Sequence, residues 1–328
     1  MSRSQHLVRP DFAHPQAAVG LDAPCSRRRW LGLSAALLGG GGLAACGTPL
    51  PLQGVPTDGT AEGQALLQAA ADAHGWAAYR QITDISVAYD GAWRPFIDRI
   101  QPIVVDKTFR GPSEERLLPQ AGVVAQAYRG PAGRKHVWWQ RAAGTPGDNA
   151  AAAGQAAVWF NGQPSASADV LAASALVAEC YGLFLLGPLW LNGRGLAARL
   201  AGTERVDGRL CDVLQVDLRP GLGRVARDRV ALCLDRDTRV ARRLRFTLEG
   251  FSATAGAVAF VDTFEHACHF GVLWPMRSYE EVEHPIRVPA HDWHITGLDV
   301  NRSLTADELR GPAFTGRAAA PAAALPKG

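Results

Sequence analysis

Val206-Asp-Gly-Arg-Leu-Cys-Asp-Val-Leu-Gln-Val216 and Val230-Ala-Leu-Cys-Leu-Asp235, with Arg219-Pro-Gly-Leu-Gly223 between them, decide the fold class. Both runs are dense in β-branched and large apolar residues, and the segment between them carries the proline and glycines of a turn. We read Gly208 to Leu218 and Arg229 to Leu234 as adjacent antiparallel strands. Gly221-Leu-Gly-Arg-Val-Ala226 matches a dinucleotide-binding G-x-G-x-x-A pattern on paper. That motif must open a helix, and here it leads into a strand, so it is read as a turn.

The same pattern extends to both sides. Downstream, Val240 to Glu249, Val258 to Glu265, His269 to Val282 and Trp293 to Asn301 read as strands. Upstream, so do Ile82 to Tyr89, Ile103 to Phe109, Val123 to Tyr128, His136 to Gln140 and Ala157 to Phe160. Consecutive strands joined by short turns imply an antiparallel meander in place of βαβ units. Ala61 to Tyr79 sets Leu66, Leu67, Ala70, Ala73 and Ala77 on one stripe and reads as an opening amphipathic helix. Ala168 to Cys180 reads as a second helix and Leu196 to Leu200 as one more helical turn, giving a helical insertion over about 168–200.

The N-terminal segment has its own signature. Ser26-Arg27-Arg28-Arg29-Trp30-Leu31 precedes an apolar, glycine-rich run ending in Leu43-Ala-Ala-Cys46-Gly47. The order resembles a twin-arginine export signal, carried by Arg27, Arg28, Trp30 and Leu31, fused to a bacterial lipoprotein box. Leu31 to Ala45 is 15 residues with five glycines, shorter than the ~20 apolar residues that span a bilayer. Residues 1–45 are therefore read as a removed signal peptide, and Cys46 as an acylated membrane anchor on a flexible tether that ends at residue 60. Gly47 is not the aspartate associated with inner-membrane retention, which favours the outer membrane of a periplasm-facing cell envelope.

Removing the five arginines and two aspartates before Cys46 from the 34 basic and 31 acidic residues leaves 29 of each. A balanced mature chain has no electrostatic footprint for nucleic acid. Its 283 residues from Cys46 onward fit one domain over 61–315, and the Ala/Pro-rich tail 316–328 reads as disordered.

Three sets of residues carry a family resemblance. The first is the 206–216 and 230–235 pair with Thr238 and Arg239-Val-Ala-Arg-Arg243; the second is Phe260-Val-Asp-Thr-Phe264 with Phe270-Gly-Val-Leu-Trp-Pro275. The third is Ile295-Thr-Gly-Leu-Asp-Val-Asn301 with Leu304 and Leu309. Together they resemble the periplasmic lipoprotein carriers and sensors of the LolA/LolB-like fold. The resemblance implies a mainly β (α+β) architecture: a strongly curved antiparallel sheet forming an open half-barrel, with helices filling its mouth over a hydrophobic cavity. It carries no catalytic residue across.

Tyr181 to Leu191 contains no charged residue and is too short to cross a membrane. Leu183, Phe184, Leu185, Leu186, Leu189, Trp190 and Leu191 are therefore the expected cavity lining or lid, with a buried core segment as the plain alternative. Gly182, Gly187 and Pro188 are read as breaks that suit a looped cover.

His266, His269, His291 and His294 lie within one stretch near His284, Cys268 and Asp292, and offer Zn²⁺ or Cu²⁺ chemistry. No tight two-plus-two spacing accompanies them, so scattered surface histidines and no cofactor are the expectation. Cys211 and Cys233 lie symmetrically about Leu222, which suggests a cross-strand disulfide; four buried free thiols are the alternative. Glu114-Glu115 and Glu280-Glu281 read as solvated faces, and His74 as a satisfied structural histidine. The expected function is non-catalytic: a membrane-anchored envelope lipoprotein binding a lipid or acyl chain. The alternatives are docking of an envelope protein partner and, behind it, a metal-dependent enzyme.

Overall fold

The computed structural model describes residues 58–142, 154–283, 286–314 and 319–321. The signal, Cys46 and most of the tether lie outside the described residues, as does His284.

Among the described residues, thirteen strands form a single antiparallel sheet. They are β1 (Ile85–Trp93), β2 (Ser113–Leu118), β3 (Val123–Gly130), β4 (Gly133–Arg141), β5 (Gly154–Phe160), β6 (Gln163–Pro164), β7 (Ala197–Val206), β8 (Arg209–Leu218), β9 (Asp228–Asp235), β10 (Ala241–Thr247), β11 (Val258–His269), β12 (Val272–Glu283) and β13 (Arg287–Val300). Their spatial order is β6-β5-β4-β3-β2-β1-β13-β12-β11-β10-β9-β8-β7. The chain thus starts in the middle of the sheet, winds out to one edge, crosses to the other, and winds back until β13 pairs with β1.

The crossing is made by α5 (Ala168–Leu186) and α6 (Pro188–Leu191). Ser167 caps α5, its side chain accepting from the Val170 N–H. Every residue of α5 from Ala173 to Leu186 is buried. The helix packs on β3, β4 and β5 and also on β12, and Phe184 meets Phe246 of β10 at 5.4 Å between ring centroids. In a flat sheet β5 and β10 would stand about 38 Å apart, farther than a 19-residue helix of about 28 Å can reach. The sheet is therefore curled around α5, and because β6 and β7 do not pair it stays open.

The helix α1 (Ala61–Ala73) stops at Gly75, whose φ of 90° admits the turn into α2 (Trp76–Tyr79); a Cβ there would come within 2.1 Å of the Gly271 carbonyl oxygen. His74 is satisfied: Nδ1 lies 2.7 Å from the Ala70 carbonyl, and Nε2 accepts from the Ala241 N–H. A C-terminal strap, including α7 (Ala306–Leu309), covers the outer face of β2–β4, where Leu309 joins Leu118, Val123, Ala125 and Trp138. Part of the tail that the sequence suggests is disordered is paired, since Leu298 N–H donates to the Ala320 carbonyl and Pro321 bridges Gly297.

Several expected elements differ. Ile103 to Phe109 is not a strand; it holds α4 (Pro102–Val105), which follows α3 (Ile97–Ile100), because Pro102 suits a first helical turn. The insertion is helical only to Leu191, and the alanine-rich 196–200 segment enters edge strand β7. Strand β2 (SEERLL) goes unread in the sequence because half of its residues are charged.

Candidate functional site: the helix-filled concave face

Tyr181 to Leu191 is not a looped cover. Its first six residues continue α5, and its last four form α6. Gly182 sits inside the helix because a side chain there would press on the Trp190 ring, 3.1 Å from an added Cβ. The true break is Gly187, whose φ/ψ of 49°/−117° is open to glycine. Leu183, Phe184, Leu185, Leu186, Leu189, Trp190 and Leu191 are all buried, packed as the filling of the half-barrel.

Polar groups fix the helix on both sides. Glu179 is buried; its Oε1 accepts from Trp139 Nε1 at 3.2 Å and lies 3.4 Å from Arg141 Nε. Half a turn on, the Tyr181 hydroxyl accepts from Arg110 Nη2 at 3.2 Å and stands 3.1 Å from His291 Nδ1. Burial, aided by Arg110 and Arg94, holds His291 well below its usual range, which favours the neutral ring. The His291 ring stacks on Trp93 at 4.0 Å, and the Arg110 guanidinium lies 4.6 Å from the Trp93 ring and 5.2 Å from that of Tyr128.

Two acids complete this interior. Glu115 accepts from Gln126 Nε2 at 2.9 Å, yet burial pushes its carboxyl up to about 8. Burial likewise raises Glu280 to about 7, with Arg110 pulling the other way. Neither Glu114-Glu115 nor Glu280-Glu281 is simply a solvated face. Neighbours on a strand point to opposite sides, so one acid of each pair must enter a concavity filled on its inner side.

The histidine grouping dissolves for the same reason. His291 is buried beneath α5 whereas His294, three residues along β13, is exposed on the other face. His266 is half-buried on β11, lowered to about 4 by burial and by Arg242, and His269 is buried where β11 ends. Among the described residues no group of three His, Cys, Asp or Glu side chains converges on a metal position. Cys211 and Cys233 carry free thiols. The β8–β9 register sets Cys211 opposite Asp235 and Val213 opposite Cys233, so the two cysteines are diagonal, not facing. Burial raises both thiols, Cys233 to about 12.

Beside Trp93 and Glu280 the packing leaves an apolar cavity of about 50 Å³, lined by Val104, Leu176, Leu248 and Phe251. Leu176 and Phe251 also line an open groove of about 490 Å³ between the first turns of α5 and the loops after β8 and β10, with Leu222 and Val225. Cavity and groove thus adjoin at the mouth, where Arg224, Arg227 and Glu249 line the groove beside its apolar residues. The sequence does not single out Leu176, Phe251, Arg110 or the Tyr181–His291 pair. Arg110 lies five residues past α4, just after a turn, where nothing in the pattern marks it as internal.

The comparisons with known proteins concern this architecture. No family model matches the chain, and no curated protein matches it. Among solved structures it is similar to a DUF1329 family protein from Desulfovibrio piger, with 11% identity over 77% of this chain and 98% of that one and a TM-score of 0.47. It is also similar to a LolA superfamily protein from Nitrosomonas europaea, with 12% identity over 78% of this chain and 98% of that one and a TM-score of 0.43. The strand pairing itself establishes the curved, open, mainly β sheet that the sequence resemblance implied.

Proposed function

We propose that this chain is a non-catalytic envelope lipoprotein that binds the hydrocarbon part of a lipid or fatty acid at the mouth of the half-barrel. The observation that supports it is that the apolar cavity and the open groove adjoin, with Leu176 and Phe251 in the walls of both. The groove has the size of a small-molecule site, whereas the cavity alone does not. An acyl chain therefore enters from the groove and displaces the first turns of α5 or the α3–α4 segment to lengthen the cavity. Docking of a protein partner on Leu185 or Leu189 loses its basis, because both side chains are buried.

Delipidated protein is expected to bind a long-chain fatty acid and an apolar fluorescent dye competitively. Val225→Glu and Phe251→Glu, both half-buried at the groove, weaken this at least tenfold while leaving the unfolding transition cooperative. Protein that copurifies with no lipid and binds neither probe would defeat the reading. Anchorage is tested separately. Cys46→Ala should move the protein from the membrane to the soluble envelope fraction, and an unchanged distribution would remove the acylated anchor.

A further inference from the structure

A second cleft, of about 650 Å³, lies among α6, the β2–β3 turn, the end of β4 and the residues following β8. Among the described residues its lining includes four arginines, Arg80, Arg141, Arg194 and Arg219, and no Asp or Glu. It shares no residue with the apolar cavity or groove.

The four guanidiniums are not equally engaged. Arg141 is held from behind by Glu179 and lies 4.6 Å from the Trp190 ring. Arg219 is held by Asp217 at 3.1 Å. Arg80 is exposed at the rim. Arg194 is different: its Nη1 is buried with no hydrogen-bond partner among the described residues. Burial and the like charge of Arg141 together hold Arg194 down to about 10. Leaving a buried charged donor without an acceptor is costly, and a second cation beside it adds to the cost. Glu179, already engaged with Arg141, offsets this only in part, and a bound anion would supply the rest.

We propose that this cleft binds a phosphate group, either free or carried on a lipid headgroup. Guanidinium forks match phosphate oxygens in pairs, and several arginines facing a cleft with no acid among its described lining attract an anion, whether the dianion of free phosphate or the single charge of a headgroup diester. The cleft is far larger than an inorganic ion, and Trp76, Leu189 and Leu196 line it beside the arginines. It thus has room and apolar surface for what the phosphate is attached to. The site stands independently of acyl binding at the mouth.

The test titrates the mature chain with inorganic phosphate, with monomeric short-chain phosphatidylglycerol and with uncharged octyl glucoside, following tryptophan fluorescence and melting temperature. Wild type should bind phosphatidylglycerol in a salt-sensitive manner, and Arg194→Gln should weaken binding at least tenfold. Tighter binding of phosphatidylglycerol than of phosphate identifies the lipid headgroup as the source. Equal binding, with the same Arg194 dependence, identifies free phosphate. Arg194→Gln without ligand should melt no lower than wild type, since it removes an uncompensated cation; this separates a lost site from a lost fold. No response to either phosphate probe, binding unaffected by Arg194→Gln, or octyl glucoside binding with the same Arg194 dependence overturns the proposal.

Discussion

Leu183→Asp abolishes cooperative folding, whereas Leu210→Asp leaves it intact. Leu183 is fully buried in the last turn of α5, with strands curled around the helix. The substitution forfeits about 2 kcal/mol of apolar burial and places an unpaired carboxylate where desolvation costs several kcal/mol more. That sum is comparable with the ~5–15 kcal/mol by which domains are stable. Leu210 is 37% exposed on β8 and should shift stability by about 0.5 kcal/mol or less. Near-UV circular dichroism and urea titration of the two variants read the difference. A native spectrum and an unchanged midpoint for Leu183→Asp would mean that Tyr181 to Leu191 is a detachable cover and not the filling of the sheet.

That contrast marks where sequence reading runs out. The strands of the second half are readable because a dense apolar, β-branched run bounded by turn residues is a local signal: β8, β9 and β12 begin and end within about three residues of their expected limits. The fate of Tyr181 to Leu191 is not local. An uncharged run has no polar face to orient it, so a cover and a core helix look alike. Gly182 reads as a break when its neighbour across space, Trp190, is unknown. The cysteine pairing fails for a related reason. Symmetry about Leu222 assumes a centred turn, but the nine-residue connection between β8 and β9 centres the register one residue later, at Gly223. A one-residue shift of the centre moves the partner by two positions, which turns a facing pair into a diagonal one.

The interior acids give the last expected result: stability falls as pH rises from 6.5 to 8.5. Burial pushes Glu115 and Asp228 up to about 8 and Glu280 to about 7. Asp228 is enclosed beside the mouth, accepting from the Leu222 N–H at 2.7 Å and the Thr247 hydroxyl at 2.8 Å. In the unfolded chain these groups ionise near pH 4. Their contribution is therefore complete below that value and is lost as pH rises through the folded values of about 7 to 8. Each costs on the order of 1.4 kcal/mol per pH unit within that window. Histidines act in the opposite sense: burial lowers His74, His266 and His291, so the unfolded chain gains protons below pH ~6.5 and the folded one does not. The two trends offset between roughly pH 4.5 and 6.5 and leave only the acids above it. Stability should therefore be greatest near pH ~6, and the melting temperature should drop by on the order of 10 °C between pH 6.5 and 8.5. Glu115→Gln keeps an oxygen for Gln126 Nε2 and removes one titrating group, so it should raise the melting temperature at pH 8.5 while changing it little at pH 6. A melting temperature that is flat or rises over that interval would show that Arg110, beside Glu115 and Glu280, keeps both acids ionised in the folded interior.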